Sequence, residues 1–202
     1  TIRPWARDPD VYSSGITSSA YIMIKRAFAP PAERLRRLIA REREMPAALL
    51  EARKNIENPP RVYTEIAIEQ IDGNRDFFRT AVAEAFPEVT DAALLEEFRR
   101  TNDAVVAALG EYKKWLQEDL LPRSTGSFAI GEEVYRRKLW GDEMIDVPID
   151  RLLAAAERDL RSNQAAFAAA ARAIDPRRTP AEVLAAVEAD HPPPSKLLST
   201  TQ

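Results

Sequence analysis

Two long stretches of this chain keep strict seven-residue bookkeeping, and that pattern limits the fold more than any other feature. Between residues 91 and 120, Leu95, Asn102, Leu109 and Leu116 form one column, and Phe98, Val105 and Tyr112 a second. From 149 to 174, Ile149, Leu153, Ala156, Leu160, Asn163, Phe167, Ala170 and Ile174 alternate steps of four and three. Only an α-helix brings residues so spaced onto one face, so each stretch reads as an amphipathic helix with a narrow apolar seam. The first would be about 45 Å long at roughly 1.5 Å per residue.

Punctuation elsewhere agrees. The chain has 6 glycines and 15 prolines, and most prolines fall where helices start or stop. Helices are expected near 16–28, after the turn-rich Tyr12-Ser13-Ser14-Gly15, from Pro31 to about Glu44, and from Pro46 to Asn55. Another should span 61–86, bent near Gly73, and a short one 131–140. Pro122 should end the helix of 91–120, Arg123–Ile130 should be a loop, and Pro176 should close the helix of 149–174. Thr179-Pro180-Ala181-Glu182 has the spacing of a capping box and opens a last helix running to about Asp190. No segment shows the alternation of a strand. The expected fold is all-α: an elongated bundle of two long, antiparallel-type amphipathic helices and several shorter ones, in one domain over 1–202.

Composition excludes several classes of function. A net charge of -3 lacks the basic surplus of a nucleic-acid binder, and no run approaches the roughly 20 apolar residues of a membrane span. Cysteine is absent and histidine occurs once. One histidine and no cysteine cannot assemble a zinc site, a cysteine nucleophile or a pair of helix-borne ligands, so no cofactor is expected in this chain. His191 abuts three prolines and reads as a helix-end residue facing terminal carbonyls.

Three charged or polar patterns have both a sharp and a plain reading. Glu65, Glu69, Asp72 and Asp76 share one helix face and could bind a cation; the plainer reading is a solvated face relieved by Arg61, Arg79 or a neighbouring helix. Arg34, Arg37 and Arg41 also align, but the interleaved Glu33, Glu42 and Glu44 mark a salt-bridged surface helix. Asn102 and Asn163 sit on the seams, where an amide could face a cleft that binds substrate amides; the plainer reading is that it fixes register. The loop from Gly126 to Tyr135 is the one segment singled out for binding. Its two glycines lead into a helix start, where free N–H groups receive a carbonyl or carboxylate, and Gly131 and Tyr135 are the candidate substrate-binding residues. No residue qualifies as catalytic or as a metal ligand.

At this loop the sequence resembles a known family. Phe128-x-Ile130-Gly131-x-Glu133-x-Tyr135-x-x-x-Leu139 follows Tyr112-x-x-Trp115-Leu116 and Leu121-Pro122. Upstream stand Trp5-x-x-Asp8-Pro9-Asp10-x-Tyr12, Met45-Pro46-x-x-Leu49, Ala52-Arg53-x-Asn55 and Pro59-Pro60-x-x-Tyr63-x-Glu65-x-Ala67. In this order the motifs resemble the bacterial family known as domain of unknown function 885. The resemblance implies an all-helical, zinc metallopeptidase-like protein, similar in architecture to thimet oligopeptidase. The zinc motif of that type, similar to His-Glu-x-x-x-Gly-His, lies downstream of everything matched here. The chain, which begins at Thr1 rather than Met, is therefore expected to be the N-terminal part of a longer protein, one wall of its substrate cleft, with zinc belonging to the longer parent. The alternative is a stand-alone helical scaffold or interaction domain. The two seams are expected to cover each other, leaving off-seam residues such as Leu94, Val106 and Leu152 in need of a second layer. That layer would be the missing C-terminal region or, through a contiguous apolar patch, a second copy in a two-fold dimer.

Overall fold

A computed structural model describes residues 2–200, and among them it is predominantly helical with no strand, having only one isolated parallel bridge between Pro60 and Gly126. The chain divides into two compact units, 1–134 and 135–202.

In the first unit a single turn, α1 (Pro4–Arg7), precedes α2 (Asp10–Lys25), α3 (Pro31–Asn55), α4 (Arg61–Phe77) and α5 (Ala92–Trp115). α2 and α5 each pack on both α3 and α4, making a four-helix arrangement. The α5 seam is the heart of it. Phe98, Asn102, Val105, Leu109, Tyr112 and Leu116 are all buried, and Leu95 lies half-buried against the same cluster. They meet Leu35, Leu38 and Leu49 of α3 and Ile71 of α4 in one core. The off-seam residues Leu94 and Val106 are also taken up, one buried and one packed against the core.

The helix limits and bends differ from expectation at several points, each for a local reason. α2 begins at Asp10 and runs straight through the segment expected to turn. There Ser14 Oγ donates to the Asp10 carbonyl at 2.7 Å and Thr17 Oγ1 to the Ser13 carbonyl at 2.9 Å, so these hydroxyls are satisfied inside the helix. α3 does not stop at Pro46. A proline inside a helix forfeits one hydrogen bond and strains the preceding turn, at about 3 kcal/mol. Here Leu38, Ile39 and Met45 before or beside it, and Leu49 and Ala52 after it, are all buried on one continuous face. Burying each large side chain contributes about 1.5–3 kcal/mol, so continuation wins. Gly73 likewise sits in an unbroken α4; instead the helix widens into a π-helical turn at Phe78–Val82. A second such turn, Leu116–Leu120, joins α5 to α6 (Leu121–Arg123), and Pro122 lies within that last helical turn.

The second unit contains most of α7 (Glu132–Glu143), then α8 (Ile149–Ile174), α9 (Pro180–Ala189), a 3-10 turn and α10 (Leu197–Thr200). α8 has the bounds its pattern predicts, and α9 carries the expected capping box. Glu182 N–H donates to Thr179 Oγ1 at 3.3 Å, and Thr179 N–H donates to Glu182 Oε2 at 2.7 Å. α9 packs on α8, and only Ala171 and Val183 are buried among the described residues of this unit. The α8 seam is therefore not covered as expected: Leu153, Leu160, Phe167 and Ile174 are all exposed. Its Asn163 is exposed too and bonds only to Asp159, within its own helix, so it fixes no register here.

Candidate functional site

Several motif residues of the family resemblance gather where α2 and α4 begin and α3 and α5 end, and the polar ones among them act as stitches. Tyr112, on the last turns of α5, is buried and donates through its hydroxyl to the Pro9 carbonyl at 2.9 Å. Burial holds that phenol far above its ordinary pKa, so it remains a donor. Tyr12 donates to the Trp5 carbonyl at 2.8 Å and accepts from Asn55 Nδ2 at 3.1 Å, tying α1 and α2 to the end of α3. Asp8 caps the start of α2 by accepting from the Asp10 N–H at 3.0 Å. Partial burial raises its pKa, while that bond acts in the opposite direction. Arg53 lies over the Trp115 ring at 5.6 Å and donates to the Glu111 carbonyl at 3.0 Å.

The loop after α6 is sewn to this end as well. Thr125 N–H donates to Asn58 Oδ1 at 3.0 Å, Gly126 N–H donates to the Pro59 carbonyl at 3.1 Å, and Thr64 and Ser124 share a buried hydroxyl pair at 2.9 Å. Gly126 has a steric reason to be glycine: a Cβ there would stand 2.3 Å from the Asn58 carbonyl oxygen. Arg7 bonds to the Ser127 carbonyl. Just after it, Phe128 is 69% exposed.

Of the two candidate binding residues, Gly131 has φ 82° and open space around it, so its glycine serves backbone conformation rather than close approach. It stands directly before α7, whose first turn carries Glu132 and Glu133. Their charge occupies the position an incoming carboxylate would need, which makes this helix start a poor anion receptor. Tyr135 lies one turn into α7 and is exposed. Both residues are exposed, unlike most of the stitched residues.

The charged patterns resolve into structure. Along α4, Arg61 pairs with Glu65 at 2.8 Å, Arg79 with Asp76 at 3.5 Å, and Lys113 of α5 with Asp72 at 2.6 Å. The Lys113 hydrogen bond lowers the Asp72 pKa. On α3, Arg34 donates to the Ile24 carbonyl at the end of α2 and stacks over Phe86. Arg37 pairs with Glu33, Arg41 bonds to Ser19 and Arg43 pairs with Glu97. His191 follows the C-cap residue Asp190 of α9, and its Nδ1 lies 3.1 Å from the Pro192 carbonyl. Among the described residues, no cluster of His, Cys, Asp or Glu is arranged to hold a metal ion.

Glu42 departs most from its expected role. The surface-helix reading of α3 fails there, because Glu42 is wholly buried between α3 and α5. Thr101 Oγ1 donates to Glu42 Oε2 at 2.5 Å, while Oε1 has no partner. Desolvation pushes its pKa up to about 7, with the Thr101 bond pulling the other way. Its position offered a signal: Glu42 falls on the Leu35, Leu38, Met45 and Leu49 face of α3. Asn102 behaves as its seam position foretold, donating from Nδ2 to the Phe78 carbonyl at 3.0 Å and fixing α5 to the π-helical turn. A shallow groove of about 380 Å³ between α2 and α3 is lined by Gly15, Ile16, Ala40, Met45 and Ala48, with Ser19, Arg41 and Glu44 as its polar residues.

An all-helical, stitched bundle with these motifs defines a class, and comparison places the chain in it. Residues 4–200 match a bacterial protein family of unknown function, DUF885, and the chain belongs to that family. It is also similar to a solved structure from Shewanella oneidensis, described as a lipoprotein of unknown function, with 28% identity and a TM-score of 0.65. The match covers 87% of this chain and 32% of that one, so the chain spans about a third of its relative's length. Among curated proteins no relative matches.

Proposed function

We propose that this chain is the non-catalytic N-terminal helical region of a longer, zinc-dependent, peptidase-like protein, and that it forms one wall of the substrate cleft. The observation that carries the reading is the coverage: the family match fills this chain, yet the similar solved structure has about two thirds of its length outside the matched part. The side-chain inventory is compatible with that division, since the first unit uses its polar residues for stitching and ion pairs. The exposed segment with Gly131 and Tyr135 is the part proposed to meet substrate. Zinc and its ligands would come from the missing C-terminal region.

The test is the longer open reading frame, expressed with zinc and assayed against a peptide library. The reading expects one zinc per longer chain, loss of hydrolysis on chelation, and neither zinc nor hydrolysis for residues 1–202 alone. Tyr135→Phe should lower kcat of the longer protein several-fold with little change in Tm, because the side chain is exposed and its removal leaves no cavity. A stop codon shortly after Gln202, or a zinc-free longer protein inert to every peptide, would remove this reading. One observation favours the second reading, an interaction domain: the long exposed seam of α8.

A further inference from the structure

α8 presents a coiled-coil stripe with nothing on it. Leu153, Leu160, Phe167 and Ile174 recur at intervals of seven, and Ile149, Ala156, Asn163 and Ala170 interleave with them. The four larger residues of the first column are 57%, 57%, 45% and 65% exposed. The helix has 26 residues, so the stripe is about 39 Å long and nearly four heptads deep. An apolar strip of this length is uncommon on a free surface and marks an interface. α9 does not cover it: the α8 residue it buries is Ala171, on the flank.

The order of side chains says what fits there. A second α8 laid antiparallel about the midpoint of the stripe, between Leu160 and Asn163, sets each seam residue against a defined counterpart. Ile149 faces Ile174, Leu153 faces Ala170, Phe167 faces Ala156, and Leu160 faces Asn163 of the second copy. The bulky Leu153 and Phe167 each meet an alanine, so the layers hold a more even volume, as close packing requires. Parallel pairing would instead stack Phe167 on Phe167 and alanine on alanine, alternating overfilled and empty layers.

The flanks agree. In the antiparallel register Asp150, Glu157 and Asp159 lie nearest Ala171, Gln164 and Ala166 of the second copy, so no like charges meet. Glu157 is also paired with Arg161 on its own helix at 3.6 Å, while Arg151 and Arg158 point away from the stripe. The Asn163 amide keeps its bond to Asp159 at 3.0 Å within the helix, so its N–H need not be buried unpaired opposite Leu160.

We propose that α8 is a homodimerisation helix, pairing antiparallel with α8 of a second copy. The absence of cysteine in the chain makes the register directly testable by engineered thiols in the 202-residue protein. Equilibrium sedimentation should show a dimer at micromolar concentration. Leu153→Cys and Ala170→Cys proteins, mixed and oxidised, should cross-link to one another but neither to itself. In this register like positions stand about 26 Å apart along the axis, whereas a parallel pair would bring them together. Leu160→Glu, at an exposed site that leaves circular dichroism unchanged, should weaken the dimer by at least about 100-fold, since its charge would be desolvated without a partner. A monomer at every concentration, self-cross-linking of either single variant, or a dimer indifferent to Leu160→Glu overturns the proposal. So does a monomeric longer protein in which α8 amides are protected from exchange, because the face would then belong to the rest of its own chain.

Discussion

α5 and α8 obey the same seven-residue rule and end in opposite environments. Both are long, both carry two columns of seam residues, and both have an asparagine among them. Yet α5 is sunk into the packed core of the first unit, and α8 is bare along nearly its whole length. A heptad pattern thus specifies a helix that wants a partner and leaves the partner open. The flanking residues hold more of that information. α5 has Leu94 and Val106 off its seam, giving a wide apolar face suited to several neighbours. Around its stripe, α8 has Leu152 as its one large apolar residue and is otherwise mostly alanine and charge, a narrower face suited to one helix.

The comparison is broken most forcefully by truncating one seam residue in each helix. Leu109→Ala should cost about 2–5 kcal/mol, because Leu109 is fully buried and the space it leaves is walled by packed side chains. Leu160→Ala should cost within about 0.5 kcal/mol in dilute protein, where the exposed stripe is unpaired. Urea unfolding of both variants checks this, and similar losses at both sites would mean that α8 is buried in solution.

A smaller effect, but a sharper one, comes from the carboxylate that α3 holds against α5. The folded-state pKa of Glu42 is raised to about 7, above its ordinary value of 4.5, so the folded protein holds the proton more tightly than the unfolded chain. Any stability gained from the protonated form is complete below about pH 4.5 and lost as pH rises through about 7. The total is on the order of 3 kcal/mol. Glu42→Gln should remove this slope and leave the variant more stable than the parent at pH 8. Parallel stability curves for the two proteins between pH 4 and 8 would show that Glu42 is solvated. The two seam asparagines give a further contrast. Asn102→Ala should cost about 1–3 kcal/mol by stranding the buried Phe78 carbonyl, and Asn163→Ala almost nothing.

Helix type, the α8 bounds and the α9 cap were legible because they rest on local signals: periodicity, a capping box, proline at a first turn. The α5 seam was legible for the same reason. The errors fall where local signals compete with burial. Pro46 reads as a stop, but the apolar face on either side of it stays in register and keeps α3 whole. Ser13 and Ser14 read as a turn, but their hydroxyls bond back into α2. Glu42 reads as one more surface charge because its neighbours Arg41 and Arg43 are surface residues, and only the helical phase shows that it points inward. Gly131 and Tyr135 stand on an exposed segment whose backbone the structure explains and whose binding partner it does not show. No pattern within this chain encodes that.

The smallest expected effect tests whether the two regions also differ in cooperativity. Thr179 Oγ1 caps α9 and Glu182 completes the box, an arrangement whose loss typically costs about 1 kcal/mol. In the first unit such a loss would be shared by a large core and read out in global unfolding. The second unit has only Ala171 and Val183 buried among its described residues, so α9 is held to α8 by little apolar surface. Local opening should therefore need far less free energy than global unfolding. In Thr179→Ala, backbone amides of 180–189 should exchange about fivefold faster with solvent, the equivalent of about 1 kcal/mol. The amides of α5 should keep their rates, and Tm should hold. Faster exchange in α5 by the same factor would show that the cap supports the whole chain, and that the two regions unfold as one.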